Sequence, residues 1–584
     1  MKVLFSAAHF GYFRNFESAI VALAERGHQV HLAADEPESI GGQALVERLA
    51  ARWPGVTYGF APSLDAEPWF LLVRKLRSAS DYIRFHDTEF ATFRKTRLTL
   101  RDRIPRGVLR LMDAGLDRSR LARLALGAAL RTLEALMPIS EASRAFILEH
   151  DPDVVLIASV TVWRLPQIDH LRAARALGRR TGVCVFSWDH LSSKALLRNL
   201  PDRVLLWNET QKREAIEWHG VPDARIAVTG AQCYDQWFDR RPSRDRESFC
   251  RALGLSPDRP ILLYVCSVMT PNPFESRFVL RWIEEIRRSA DPALREAGIL
   301  VRPHPERMDE WEGVSLERFG NAALYGRNPV SPDAQAGYFD SLYHSHAVIG
   351  LVTSAFLEAA IVGRPVHSPL LPEFEMYQEG VQHFRYLMDV EGGLLRVTRS
   401  LADHLVELAS AIAQPVGRDE RNARFVRAFI RPNGIDVAAT PVFVGEIERI
   451  AAEPPLPAAA PGAWHRAAQP LVGRLAQSSE TGWLRGVSCD ASEMIGDRSR
   501  ARKAAHKEAA AAARAERVAS KHRLLDAHRR ARRRAHLADT RLRQLGRVQA
   551  RVKWAVRTAA SGSAWRKQMA RIKGRVKALI GYAS

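Results

Sequence analysis

Short buried apolar runs alternate with amphipathic helical segments along the first 450 residues of the chain. Residues 2–5 have the pattern of a buried strand, and residues 30–34 form the next such run. Between them lies a helical segment with Ile20 and Leu23 on one face, which Gly27 ends. This order predicts a βαβ unit, and hence a parallel sheet with a right-handed crossover.

The same rhythm continues and then restarts. Residues 154–157, 183–186, 204–207 and 226–228 are further strand candidates, and residues 67–147, which precede them, are helical in pattern and rich in Arg and Leu. Residues 239–260 are polar and contain proline, and residues 261–265 begin a second strand–helix series. The sequence therefore predicts an α/β fold with two halves and a hinge near residue 240.

Four segments follow from this organisation. We predict one α/β domain at 1–238 and a second at 239–452. A Pro/Ala-rich linker is predicted at 453–499, followed by a basic helical extension at 500–584.

The composition, at 46% hydrophobic and 26% charged residues over 584, is that of a globular protein. Five scattered cysteines without a C-x-x-C spacing argue against a disulfide framework and a zinc site. The apolar run at the N-terminus is too short for a signal peptide, and we find no stretch of about 18 apolar residues. We expect a cytoplasmic protein without a spanning helix.

The net charge of +21 is concentrated in the tail. Residues 501–584 carry 24 Lys and Arg against four Asp and Glu, whereas the first 500 residues carry 62 against 61. The two α/β domains are thus balanced in charge, and the excess needs a separate explanation.

Polar groups stand at the carboxyl ends of two predicted strands of the second half. The run 299–301 leads into Arg302 and His304, and the run 347–352 leads into Thr353 and Ser354. Ligands bind outside such strand ends in open parallel sheets. Thr353 and Ser354 can cap the helix that follows, and a helix start attracts phosphate. We expect these four residues to bind a phosphate or diphosphate; the alternative is that His304 only ends a strand and that the hydroxyls only cap a helix.

Several of these motifs resemble those of GT-B type glycosyltransferases. Residues 10–17 and 23–30 are similar to the acceptor-side half of that fold. The pair formed by 302–305 and 353–354 is similar to the His-Pro and Ser motifs of capsule, polysialic-acid and related polymer transferases, and 358–366 resembles a donor-binding helix. The resemblance covers roughly residues 1 to 450. It implies two Rossmann-like domains around a deep cleft, in a bacterial enzyme of polysaccharide biosynthesis in the cell envelope.

The resemblance also implies roles for individual residues. Glu358 would hold the ribose, and Gln378 and Glu379 would bind sugar hydroxyls, with a solvated helix glutamate and a polar loop as the alternatives. His9, which follows the first strand, would remove the acceptor proton, although it could equally be a loop histidine. Asp189, Ser193 and Lys194 follow another strand and are possible cleft residues without a defined role.

One departure from the family bears on mechanism. Retaining transferases with an E-x7-E element carry a glutamate eight positions before the second one, and here that position is Gly350. An inverting mechanism is therefore expected. Because the sequence has no convincing DxD pair, Cys/His cluster, dinucleotide fingerprint or Walker loop, we predict no metal and no cofactor, with a nucleotide-activated donor as substrate.

The last part of the tail has the spacing of a basic amphipathic helix. The apolar residues of 564–580 recur at steps of four, three, four and three, with Lys573, Lys577 and four more cations between them. These apolar residues are Trp565, Met569, Ile572, Val576 and Leu579. We predict docking to an anionic membrane surface. Nucleic-acid binding and a merely solvated extension are the alternatives.

Together these observations predict a peripheral enzyme at the inner face of the cell membrane. It would move a sugar, or a polyol phosphate, from a nucleotide-activated donor to a cell-surface glycan or lipid-linked acceptor. Two alternatives stay open: a nucleotide-sugar 2-epimerase, and a non-catalytic membrane or nucleic-acid binding protein built on the same body.

Overall fold

The computed structural model describes most of the first 481 residues and parts of the tail. The described residues are 1–38, 41–91, 93–101, 104–158, 166–269, 275–326, 329, 331–414, 417, 419–454, 456–457, 462–481, 543–554, 566–567 and 569–575. Met1–Ser492 and Glu493–Ser584 form two separate compact units. Within the described residues, no helix is both long and apolar enough to span a membrane.

Thirteen strands occur in the described part of the first unit. They are β1 (Lys2–Ala7), β2 (Gln29–Ala34), β3 (Val56–Phe60), β4 (Val154–Ile157), β5 (Arg180–Cys184), β6 (Arg203–Leu206), β7 (Ile226–Val228), β8 (Ile261–Val265), β9 (Gly298–Arg302), β10 (Ala322–Leu324), β11 (Ala347–Ile349), β12 (Val366–Pro369) and β13 (Leu395–Thr398).

Helices cover most of the remaining described chain. They are α1 (Glu17–Glu25), α2 (Gly42–Arg52), α3 (Phe70–Arg84), α4 (Arg94–Arg101), α5 (Arg106–Asp113), α6 (Arg120–Ala135), α7 (Glu141–His150), α8 (Gln167–Ala176), α9 (His190–Ser193), α10 (Glu209–Glu217), α11 (Asp235–Asp239), α12 (Arg246–Leu253), α13 (Glu275–Arg287), α14 (Pro292–Arg295), α15 (Pro332–Tyr343), α16 (Ala355–Ile361), α17 (Gln382–Asp389), α18 (Leu401–Ala413), α19 (Glu420–Phe429), α20 (Ala439–Ala452) and α21 (Ala463–Thr481).

The strands form two sheets in which every pair is parallel. The first has the order β3-β2-β1-β4-β5-β6-β7 and the second the order β10-β9-β8-β11-β12-β13. The predicted pair of α/β domains on parallel sheets is confirmed. In each sheet the strand order reverses direction once, between β1 and β4 and between β8 and β11, and ligands bind at such switch points.

Helix α20, the last helix of the predicted second domain, packs against the first sheet. Phe443, Val444, Ile447 and Ile450 of α20 are buried in the same apolar cluster as Phe5 of β1. The chain therefore crosses between the domains twice, once near residue 240 and once before α20. The predicted boundary at 452 includes this helix in the second domain by sequence, although it packs against the first.

Asp235 connects the two chain segments that cross between the domains. Its Oδ1 accepts hydrogen bonds from the Arg431 guanidinium and from the Ala439 N–H, each at 3.0 Å. Its Oδ2 accepts from the Thr440 N–H at 2.6 Å. These two N–H groups belong to the first turn of α20, where no intrahelical acceptor is available. One carboxylate thus caps a helix more than 200 positions later in the sequence.

A helical insertion between β3 and β4 is anchored by buried ion pairs. Arg77 of α3 is fully buried and donates to Glu134 of α6 and to Asp169 of α8, each at 2.9 Å. Arg198 also donates to Glu134, at 3.2 Å. Since a buried guanidinium is stable only when fully paired, this network fixes the insertion against the first sheet.

The stretch predicted as a linker is helical in part. In α21, Val472 is buried in the apolar cluster of the helical insertion, with Leu475 packed beside it. The composition changes after the Pro/Ala-rich start of the stretch to spaced Leu and Val, and these give the helix a face to bury. In the tail, the described residues 543–554, 566–567 and 569–575 are helical, as predicted.

Candidate functional site

A cleft of about 440 Å³ lies within the first unit, at the carboxyl ends of strands from both sheets. The first sheet contributes the segments after β1, β5 and β6, and the second those after β8, β9 and β11. The segments after β1, β8 and β11 flank the switch points of the two sheets, so the position is the one expected for a ligand. Its aromatic wall consists of Phe186, Trp188, Trp207, Tyr234, Trp237 and Tyr338.

Arg302 and His304 both line this cleft, as predicted from the strand end. The Arg302 guanidinium is 7% exposed and donates to the Ser341 Oγ at 2.9 Å. It also lies 4.9 Å from the ring centroid of Tyr338 and 5.3 Å from that of Tyr325. Burial lowers its pKa, and the two tyrosines and Glu358 oppose that shift. Arg302 is therefore a fixed, largely buried positive charge in the cleft wall.

The ring of His304 is oriented by a hydrogen bond from the backbone two residues later. Its Nδ1 accepts a hydrogen bond from the Glu306 N–H at 3.2 Å, which assigns the ring hydrogen of the neutral imidazole to Nε2. Burial lowers its pKa, with Arg14 and Arg307 acting in the same direction and Glu306 opposing. At neutral pH the ring is thus a hydrogen-bond donor through Nε2, suited to a phosphate oxygen.

Two more arginines line the cleft, and no sequence motif indicated either of them. Arg14 comes from the 3₁₀ segment Phe10–Phe16 of the first domain, and Arg240 from the segment between the domains. Arg240 is held by hydrogen bonds to Gln236 at 3.2 Å and to Gln335 at 3.1 Å. No local motif marks either residue, because only the meeting of the two domains gives them a common target.

Glu358 lies among these cations and lines the cleft, as predicted. Its Oε2 accepts a hydrogen bond from the Tyr338 hydroxyl. Burial raises the pKa of Glu358 to about 7, although the Tyr338 bond and the charges of Arg14, Arg240 and Arg302 act to lower it. The carboxyl is therefore half ionised near neutral pH and can accept hydrogen bonds from hydroxyl groups of a ligand.

Thr353 and Ser354 also line the cleft, but they differ in their bonds. The Thr353 Oγ1 accepts from the Ala355 N–H at 3.3 Å, which caps the start of α16. Ser354 stands at the N-cap position without a side-chain capping bond, so the predicted cap at this residue is wrong. Its backbone is already helical, which turns the hydroxyl away from the first N–H groups and leaves the residue exposed at the cleft.

His9 follows β1 by two residues, as the sequence predicts. Its ring stacks on Tyr12, with 4.1 Å between the ring centroids. Among the described residues, the cleft lining begins at Gly11 and does not include His9. The predicted role of His9 as the base therefore stays a prediction.

The structure does not bring Gln378 and Glu379 to the cleft lining. Gln378 is fully buried, and its amide donates to the Ser368 Oγ and the Pro369 carbonyl, each at 3.1 Å. Glu379 pairs with the exposed Arg399 at 2.8 Å. The turn after β12 directs one side chain into the core and the other to the surface, which the loop sequence does not reveal.

Asp189, Ser193 and Lys194 lie together beside the cleft. The Asp189 carboxylate accepts from the Ser193 hydroxyl at 3.1 Å and lies 3.5 Å from the Lys194 Nζ. Their neighbours Ser187 and Trp188 line the cleft itself.

The predicted membrane residues are described only in part. Met569, Ile572 and Lys573 lie in the helical residues 569–575, where the first two are half-buried and Lys573 is exposed. Trp565, Val576, Leu579 and Lys577 lie outside the described residues.

No protein-family model and no curated protein matches this sequence. Similar solved structures include a glycosyltransferase from Rickettsia africae, with 10% identity, a TM-score of 0.43, and 78% of this chain and 99% of that chain covered. WaaG, a glycosyltransferase involved in lipopolysaccharide biosynthesis, has 12% identity and a TM-score of 0.40, with 77% and 100% covered. A UDP-GlcNAc 2-epimerase from Neisseria meningitidis bound to UDP-GlcNAc has 11% identity and a TM-score of 0.42, with 77% and 100% covered. At these identities and TM-scores the likeness assigns no activity, substrate or partner to this chain.

Proposed function

We propose that this protein is a glycosyltransferase of the GT-B type that uses a nucleotide-activated donor. One observation carries the proposal: Arg14, Arg240, Arg302 and His304 converge with Glu358 on one cleft at the carboxyl ends of strands from two parallel sheets. The leaving group of such a donor is a nucleotide phosphate, which needs positive charge and hydrogen-bond donors as it departs.

Within this proposal each group has a distinct task. Arg14, Arg240 and the His304 Nε2–H bind the donor phosphates, and the Ser354 hydroxyl adds one more donor. Arg302 supplies fixed positive charge from within the cleft wall. Glu358 accepts hydrogen bonds from the ribose hydroxyls, as the family resemblance implies.

The proposed reaction inverts the configuration of the sugar. The acceptor hydroxyl attacks the anomeric carbon from the side opposite to the nucleotide phosphate, and its proton passes to His9. The bond from the anomeric carbon to the phosphate oxygen breaks, and the cationic groups neutralise the phosphate. No metal or further cofactor is part of this proposal, because the side chains already supply the charge.

Gly350, eight positions before Glu358, supports an inverting over a retaining mechanism. A side-chain carbon placed on Gly350 would lie 2.8 Å from the Val265 carbonyl oxygen and 2.9 Å from the Phe356 ring. A glutamate at this position would therefore require the Val265 backbone and the Phe356 ring to shift, and the chain has Gly350 there instead.

The acceptor proposed is a cell-surface glycan precursor or a lipid-linked glycan of a bacterial envelope, with the enzyme at the inner face of the membrane. The tail supports this location, since Met569 and Ile572 fall on one side of the helical residues 569–575 and the neighbouring cations are exposed. Six basic groups in 564–580 near an anionic leaflet could contribute up to roughly 6 kcal/mol.

Thermal-shift screening of the full chain with CMP, CDP, UDP, GDP and dTDP tests donor binding. We expect one nucleotide to raise the Tm by several degrees, because binding to the folded state alone stabilises it. His304→Ala should reduce that shift, whereas the matched His150→Ala, at a histidine that does not line the cleft, should not.

The responding nucleotide then directs a turnover assay with its sugar derivatives. Transfer to a glycan acceptor supports the proposal, and conversion of one free nucleotide sugar into its 2-epimer would establish the alternative enzyme. A Tm that none of the nucleotides raises would contradict both the transferase and the epimerase.

A further inference from the structure

A second group of charged side chains lies next to the cleft, where three parts of the first unit meet. Lys95 comes from α4 of the helical insertion, Asp189 and Lys194 from the segment after β5, and His383 from α17 of the second domain. We call these four residues the two-lysine cluster. The Lys194 Nζ lies 3.5 Å from the Asp189 Oδ2, and the Lys95 Nζ lies 4.8 Å from the ring centroid of Tyr377.

The cluster has more positive than negative charge. Burial lowers the pKa of Lys95, and Lys194 lowers it further, while Asp189 opposes both. Burial by itself would raise the pKa of Asp189, but Lys194, His383 and His190 hold it well below its usual range. Two ammonium groups therefore share the charge of one ionised carboxylate.

Hydrogen bonds already engage that carboxylate. Asp189 accepts from the Ser187 hydroxyl at 2.5 Å and from the Ser193 hydroxyl at 3.1 Å. The nearby Glu214 is bonded to the Tyr386 hydroxyl at 2.6 Å, and burial raises its pKa to about 8. Glu214 is thus mainly protonated at neutral pH and adds little negative charge beside the lysines.

His383 adds a polar atom without a partner. Its Nδ1 is buried and, among the described residues, makes no hydrogen bond. Its ring meets Trp188 edge to face, with 4.9 Å between the centroids. A buried ring nitrogen without a partner is costly in a folded protein and is relieved by a bound ligand.

The cluster and the cleft share a wall. Ser187 and Trp188 line the cleft, Ser187 donates to Asp189, and Trp188 contacts His383. An anion held by Lys95 and Lys194 would therefore lie beside the part of the cleft wall that Ser187 and Trp188 form. This position suits the anchor of a second substrate whose hydroxyl extends into the cleft.

We propose that the two-lysine cluster binds a phosphate group of the acceptor. The acceptor class is accordingly a sugar or lipid that carries a phosphate ester, rather than a neutral glycan. This inference rests on the proposed function, since it names the second substrate of the same site. Within this proposal the two ammonium groups pair with the phosphate oxygens, and the Nδ1 of His383, which has no partner among the described residues, donates a hydrogen bond to the same group.

The test is a binding titration of the full-length protein with two phosphate probes. Glucose 1-phosphate represents a soluble source, and farnesyl phosphate in neutral vesicles represents a lipid source. We expect the double variant Lys95→Gln/Lys194→Gln to bind the preferred probe at least about tenfold more weakly, since each charged hydrogen bond lost is worth that order. Binding of farnesyl phosphate but not of glucose 1-phosphate identifies a lipid-linked acceptor. Binding of both probes shows that the cluster recognises the phosphate group itself.

Matched variants make the result specific. Lys95→Arg/Lys194→Arg keeps both charges and should bind within about threefold of the wild type. Lys212→Gln removes a surface lysine that pairs with Asp223 and should change nothing. His304→Ala should weaken the nucleotide but not the probe, which separates the cluster from the donor site.

Phosphate binding unchanged in Lys95→Gln/Lys194→Gln, with nucleotide binding intact, would overturn the inference and leave the proposed function standing. Equally tight binding of glucuronate would overturn the assignment to phosphate. Absence of nucleotide binding in the wild type would instead remove the proposed function on which the inference rests.

Discussion

At the scale of single residues, the cleft depends on a carboxyl group surrounded by cations. Arg14, Arg240 and Arg302 act on Glu358, yet burial outweighs them and raises its pKa to about 7. The folded protein therefore holds a proton on Glu358 between about pH 4.5 and 7 that the unfolded chain has lost. Its contribution to stability is full below about pH 4.5 and is lost as the pH rises from there through about 7.

Glu358→Gln removes this titration while keeping the shape of the side chain. We expect the stability of the variant relative to the wild type to increase with pH, by about 1–3 kcal/mol between pH 5 and pH 8. Urea unfolding of both proteins at the two pH values measures the difference. An equal stability difference at both values would show that Glu358 does not titrate in this range.

Sequence motifs revealed only part of this residue set. Arg302, His304 and Ser354 follow strands of one domain, so the rule that ligands bind at strand ends places them together. Arg14 and Arg240 lie outside the second sheet, and their approach to Glu358 depends on how the two domains meet. Gln378 was misplaced because a polar loop residue can turn inward when backbone carbonyls accept from it.

At the scale of elements, two crossing segments join the sheets, and Asp235 holds both. It receives two N–H groups of α20 and the guanidinium of Arg431. The Asp235 carboxylate is both the cap of α20 and the partner of Arg431 in a partly buried ion pair. A substitution of Asp235 therefore removes both interactions.

Asp235→Ala should destabilise the first unit by about 2–4 kcal/mol, because it leaves Arg431 unpaired and the start of α20 uncapped. Asp239→Ala, at an exposed position of the same helix, is the matched control. Hydrogen exchange should increase within Ala439–Ala452 before the sheets are affected. Equal Tm values for the two variants would contradict the role given to Asp235.

The central strands were predictable from the sequence, whereas the edge strand β3 was not. The apolar runs of β1, β4, β8 and β9 are buried on both faces, and such runs stand out in a sequence. By contrast, β3 at the edge of the first sheet is largely exposed and carries no comparable signal. The return of α20 to the first sheet is likewise a long-range contact that no local pattern indicates.

At the scale of the whole molecule, the tail supplies the charge excess and a proposed membrane contact. Full-length protein should bind vesicles that contain anionic lipid, and binding should fall when salt is raised, because screening weakens the attraction. Met569→Asp/Ile572→Asp should weaken binding at least about tenfold, since it removes buried apolar area. Vesicle co-sedimentation measures both effects.

Leu545→Asp changes an exposed leucine elsewhere in the tail and is the control for that experiment. Undiminished binding in Met569→Asp/Ile572→Asp would contradict an apolar contact with the membrane. Salt-sensitive binding to RNA in place of vesicles would favour the nucleic-acid alternative.

The central claim is that both domains hold one nucleotide phosphate, and Arg14 tests it most directly. Arg14 belongs to the first domain, whereas His304 and Glu358 belong to the second. Isothermal titration with the nucleotide identified by screening should show Arg14→Gln binding about tenfold or more weakly than wild type. Arg26→Gln, an arginine of the same domain that pairs with Glu448, should bind like wild type. Full-strength binding by Arg14→Gln would contradict a phosphate held between the two domains.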